Sequence, residues 1–246
     1  MRPYPSIPQT LSLIGTVIVL ASDICWGKPD ISVVPRPVEA IPLFRNSHAT
    51  AGAWLVKHHG LKRDGERDKT LVATAWVYMR RCGDCSDSDS VTWDVAGGLA
   101  SLLKARGAKL TVAERCTRPT SAKSLARFSD LVAAIKAGAP ALVTFSYDPR
   151  SAKSSTVARG RARKSFTLAA IGTITDGARD YVVARDGLTK PPELLAQDCV
   201  SAASLGLGKG VWSQPGTRIY RWHGGQQNIV LVTAKITGGK GAGGTP

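Results

Sequence analysis

The chain has 246 residues, with 33 Lys+Arg against 18 Asp+Glu for a formal net charge of +15, and 43% of its residues are hydrophobic. That apolar share excludes a disordered or collagen-like chain, which cannot bury enough surface to offset the entropy of ordering, and the length suits one ordinary domain. The charge bears on association and solubility and leaves fold and chemistry open.

Residues 1–27 have the pattern of a signal peptide. Arg2 precedes an apolar run from Leu11 to Ala21, and the small residues Ala21, Ser22 and Gly27 follow it. The run is too short for about 30 Å of hydrocarbon, which takes roughly 20 residues. The expectation is a secreted or periplasmic protein with no transmembrane span after cleavage. Cleavage near Gly27 would remove Arg2 and Asp23 together and leave the net charge unchanged. It would also remove Cys25, leaving Cys82, Cys85, Cys116 and Cys199. An even count in an oxidising compartment predicts disulfides among these four, in any of three pairings.

Residues 28–45 form a proline-punctuated lead-in, extended as PPII or as an edge strand. Ser47 to His58 has helical spacing, with Ala51, Trp54 and Leu55 on one stripe and Gly60 as the stop. Lys62 to Lys69 is a charged turn, and Thr70 to Met79 fits a helix or a buried strand equally well. Ser90 to Arg106 is predicted as a helix capped by Ser88 or Ser90. Val91, Val95, Leu99, Leu102 and Leu103 share one of its faces, and Gly97-Gly98 implies a close neighbour. The acids Asp84, Asp87, Asp89 and Asp94 gather at its positive end. They lack the Gly and Glu positions of a calcium loop.

Phe128, Leu131, Val132 and Ile135 mark a further helix, stopped by Gly138 and Pro140. The period then changes. Ala141 to Tyr147, Phe166 to Ile174, Tyr181 to Arg185, Thr217 to Trp222 and Ile229 to Ile236 are predicted strands. Helices followed by strands argue an α+β domain with an antiparallel sheet over residues 46–237. Residues 238–246 form a Gly-rich tail expected to be disordered.

This order resembles the papain-like cysteine peptidases, in particular the bacterial branch that processes bacteriocin leaders. In that branch a nucleophilic Cys opens the first helix; here Ser47-His48-Ala49-Thr50-Ala51 holds the place. A helix, Gly, Pro and strand follow as Leu131 to Pro140 and Ala141 to Tyr147. The resemblance implies a catalytic His six residues before a Gly, and Phe166 stands there ahead of Gly172. It implies an orienting Asp or Asn after the next strand, which Asp186 matches. The Gln that supplies an oxyanion donor is missing, since Ala40-Ile41-Pro42 lie in its place.

A cysteine peptidase needs a base that holds its thiol as thiolate and later protonates the leaving amine. Phenylalanine does neither, and Ser47 without a base is an ordinary helix cap. The resemblance therefore implies a papain-like fold with a degenerate centre at Ser47, Phe166 and Asp186. Such a domain is an inactive homologue that binds or scaffolds. Its partner is left open among a protein, a peptide and an anionic polymer.

Two rivals use Cys82-Gly83-Asp84-Cys85. The run resembles the Cys-Gly-Ser-Cys of papain, which would make Cys85 a nucleophile at a helix N-terminus and the protein an active peptidase or amidase. It also resembles a thiol–disulfide redox pair, Cys82 with Cys85. Other signals are bland. His58-His59 is a solvated helix end, and Gly206 to Gly210 is a turn without the strand and helix of a phosphate loop. No metal ligand set and no cofactor is expected. Arg150, Lys153, Arg159, Arg161, Arg163 and Lys164 lie in an acid-free stretch, a candidate polyanion-binding patch. Aromatics are not interleaved with these charges, so specific nucleic-acid binding is not expected.

Overall fold

The computed structural model describes residues 28–44, 46–81, 92–116, 126–147, 164–223 and 228–238. Residues 1–27, read above as a signal peptide, lie outside them, as do Cys82, Cys85, residues 150–163 of the basic stretch and residues 239–246 of the tail.

Local chemistry sets the helix limits. Helix α1 spans Ser47–His58. The Asn46 side chain accepts the amides of His48 at 2.8 Å and Ala49 at 3.3 Å, which satisfies two donors of the first turn. The cap is thus Asn46 and not Ser47, which is the first helical residue with its hydroxyl released for other contacts. Helix α2, Asp68–Met79, resolves the ambiguous apolar run as helical, and it packs against α1.

Helix α3 spans Val95–Ala105, later than the expected start at Ser90. Asp94 caps it by accepting the Gly97 amide at 2.8 Å, and the two residues before that cap are extended. They form β3, Thr92–Trp93, paired with β2, Arg80–Arg81. Gly98 does meet a close neighbour: a Cβ there would lie 2.5 Å from Met79 Cα and 2.7 Å from the Tyr78 carbonyl. Helix α4, Phe128–Lys136, ends before Gly138, whose φ of 77° suits glycine.

The main sheet is antiparallel throughout. Its strands are β1 (Asp30–Val33), β4 (Lys109–Cys116), β5 (Ala141–Tyr147), β6 (Lys164–Asp176), β7 (Arg179–Arg185), β8 (Cys199–Val200), β9 (Thr217–Arg221) and β10 (Asn228–Gly238). The order is β4-β10-β5-β6-β7-β9-β8, with β1 added to β6. The molecule is therefore α+β. The expected helices-then-strands order holds only in part, because β1 precedes α1 and β4 separates α3 from α4.

Strand β6 is the axis of the sheet. Strand β5 pairs along residues 164–170 and β1 along residues 172–175. A register shift between Ala170 and Gly172 in the β6–β7 ladder marks a bulge. Gly172 admits β1 there, since a Cβ would lie 2.8 Å from the Ser32 carbonyl.

Trp54, Leu55, Leu99, Leu102, Leu103, Leu131, Phe145 and Tyr220 form the fully buried centre. No helix among the described residues is long and apolar enough to cross a membrane.

Candidate functional site

Strand β7 joins β6 from Ala169, paired with Arg185, onward. Thr167 therefore lies beyond the last β7 partner, and its amide has no neighbouring strand on that side. The α1 N-terminus fills the place: Ser47 Oγ accepts the Thr167 N–H at 3.1 Å in a buried setting. Past Arg185 the chain turns away through Asp186 and Gly187. The lead-in crosses this exit, with the Leu43 amide donating to the Gly187 carbonyl at 3.0 Å. Gly187 has φ 66°, and a Cβ there would collide with the Ile41 carbonyl. Only glycine allows the crossing.

Ser47, Thr167 and Asp186 thus meet around one void of about 10 Å³, also lined by Thr50, Trp54 and Arg185. That is room for a single water-sized species. Phe166 does not line it; half-buried, it packs against the core. Phe166 and Thr167 are neighbours on β6 and take opposite faces of the strand. The strand residue opposite Ser47 is Thr167, which the sequence reading passed over.

Each member of the group is engaged. Thr167 Oγ1 lies 2.7 Å from Thr144 Oγ1 on β5, both buried. Asp186, with its side chain fully buried, pairs with Arg218. It also accepts the Tyr220 hydroxyl at 2.6 Å and the Leu188 amide at 2.9 Å. Burial, then the Asp186 carboxylate, pushes the Tyr220 phenol far up, so Tyr220 stays a donor. Asp186 is held as an acceptor saturated by neighbours, with no imidazole to orient.

Arg185 is only 3% exposed. Its guanidinium donates to Thr217 Oγ1 and Gln214 Oε1, both neutral. Burial lowers its pKa, opposed by exposed Glu39. His48 follows Ser47 in α1, with Nδ1 3.2 Å from Asn46 Oδ1, and burial lowers its pKa to about 4. Among the described residues the partner of Ser47 Oγ is a backbone amide, not an imidazole. The arrangement can hold a small species; among the described residues no group is placed to take the serine proton at neutral pH.

The other sequence candidates lie elsewhere. Cys199 is a half-buried thiol on β8, free among the described residues, and burial pushes its pKa up. Cys116 lies on β4 and Lys164 opens β6. His58 and His59 are not a solvated end. His58 stacks on Trp54 at 5.0 Å between ring centroids, and burial lowers the pKa of both, His59 to about 4 with His58 adding to the shift. They border a groove of about 830 Å³ against α4 and β10, which shares no residue with the void.

No family model matches the chain, and no curated protein matches it.

Proposed function

We propose that the chain is an exported papain-like domain with a degenerate catalytic centre, working by binding or scaffolding and not by hydrolysis. The observation that supports this is the meeting of Ser47 at the start of α1, Thr167 at the start of β6 and Asp186 beyond β7 around a single void. Nucleophile, base and orienting acid converge in this way in a papain-like centre. Here a hydroxyl stands for the thiol, a second hydroxyl for the imidazole, and the carboxylate is committed to Arg218 and Tyr220.

The test restores the missing chemistry. Ser47→Cys gives a thiol with an ordinary or raised pKa. Adding Thr167→His places an imidazole beside it and lowers that pKa. In a background with the native cysteines replaced, the double variant is expected to react with iodoacetamide at pH 7 at least tenfold faster than Ser47→Cys alone. Equal rates would remove the peptidase-like frame. The native protein is expected to leave a mixed peptide library intact, and Ser47→Ala to leave partner capture unchanged. Hydrolysis lost on Cys85→Ala would favour the thiol-peptidase alternative. A reversible Cys82–Cys85 couple would favour the redox one.

A further inference from the structure

We propose that the void beneath Ser47 is a binding site for one monatomic anion, chloride under physiological conditions. The inference goes beyond the peptidase-like frame and does not depend on it, because it rests on which hydrogen-bonding groups line the cavity.

Two buried donors without a partner among the described residues belong to residues that line this void, Nε1–H of Trp54 and Nε–H of Arg185. Indole and guanidinium nitrogens donate only. Ser47 Oγ already accepts the Thr167 amide, so its hydrogen is available as a third donor. The carboxylate that lines the void is taken. Both Asp186 oxygens receive hydrogen bonds from Arg218, with Tyr220 and Leu188 adding one each. The Thr50 hydroxyl donates to the Asn46 carbonyl at 2.8 Å.

The two unpartnered N–H groups call for an acceptor, and an anion supplies one. Charge points the same way. Arg185 has hydrogen-bond partners that are neutral, Asp186 is paired with Arg218, and Glu39, whose field reaches Arg185, is exposed. A buried cation without a bonded counter-charge is costly, and a bound anion offsets that cost. Size then decides the class. A volume of about 10 Å³ favours a monatomic ion over carboxylate, phosphate or sulfate.

The experiment is thermal unfolding of the purified full chain in sodium chloride against sodium gluconate at equal ionic strength. Chloride, and bromide in its place, are expected to raise the unfolding temperature saturably by about 2–4 °C, whereas sulfate at the same ionic strength matches gluconate. Trp54→Phe keeps the ring and removes one donor. It is expected to raise the half-maximal chloride concentration about tenfold; Ser47→Ala acts in the same direction. Crystals grown in bromide should show an anomalous peak between Trp54, Arg185 and Ser47. Equal melting in chloride and gluconate overturns the proposal. So does an ordered water at the site in bromide crystals, or a chloride response that both variants leave unchanged.

Discussion

Arg106 meets Glu66 through two parallel hydrogen bonds of 2.6 and 2.7 Å, with side chains only 4% and 9% exposed. The pair ties the end of α3 to the turn before α2, and the bond from Arg106, against the opposing effect of burial, holds the Glu66 carboxyl below its ordinary range. Removing one partner leaves the other buried and unmatched. Glu66→Gln is therefore expected to cost about 1–2 kcal/mol in urea unfolding at pH 7. A depressed carboxylate stabilises the fold above its unfolded pKa and loses that contribution as pH falls through the folded value. The cost of Glu66→Gln is thus expected to shrink in strong acid. Histidines act at milder pH. His48 and His59 have folded pKa values of about 4 against an unfolded 6.5. Their neutral forms support the fold fully above about pH 6.5, and the support is lost as pH falls toward 4. Each contributes a slope of up to about 1.4 kcal/mol per pH unit. Unfolding midpoints measured from pH 7.5 to 4.5 are expected to fall, and His59→Asn is expected to flatten the fall. None of this was legible in the sequence, where His58-His59 beside Lys57 looked solvated and Glu66 was one charge in a turn. Burial comes from residues distant in the chain. Arg185 shows the same limit: an arginine ending a strand looks like a surface charge until Thr217 and Gln214 close over it.

Elements were more readable where a local signal fixed both ends. Helix α1 has its apolar stripe of Ala51, Trp54 and Leu55 and Gly60 after it, and β5 is an apolar run between Pro140 and the polar residues after Tyr147. Strand β4 went unseen because Lys109–Cys116 mixes charge with short apolar residues, as suits an edge strand with one neighbour. The start of α3 was misplaced because several Asp and Ser residues could cap, and only pairing of Thr92–Trp93 with Arg80–Arg81 selects Asp94. The Gly97-Gly98 signal was sound, and it leads to a test. Gly98→Ala drives a methyl against the backbone of Met79, where the neighbour cannot yield cheaply. The expected loss is about 1–3 kcal/mol, seen as a lowered unfolding temperature. Gly97→Ala meets only the flexible Asp94 carboxylate, and is expected to cost less.

At the scale of the whole molecule, the α+β class followed from the change of hydrophobic period near Ala141. Ser47 and Asp186 were singled out in the sequence and both line the void, while Thr167 between them carried no signal of its own. The charge of +15 is a different kind of property. Five of its cations, from Arg150 to Arg163, precede β6 directly, and β6 carries Thr167 to the void. If this stretch binds polyanions, replacing Arg150, Lys153, Arg159, Arg161 and Arg163 with Gln will weaken capture of long-chain polyphosphate at low salt. It will also reduce the dependence of affinity on salt. Unchanged capture would assign the charge to solubility alone.

The lead-in that crosses the exit of β7 has a kinetic meaning. Leu43 and Gly187 are far apart in the chain, and their hydrogen bond closes a large loop. Such contacts repay their loop-closure entropy only after the elements between them are in place. The strap is therefore among the last parts to form and among the first to release. Gly187→Ala, which forces a methyl toward the Ile41 carbonyl, is expected to speed unfolding and leave the refolding rate nearly unchanged in stopped-flow measurements. The same release would govern how often the buried void meets solvent. Residence time there would then follow the opening of residues 41–43 more than the strength of any contact inside.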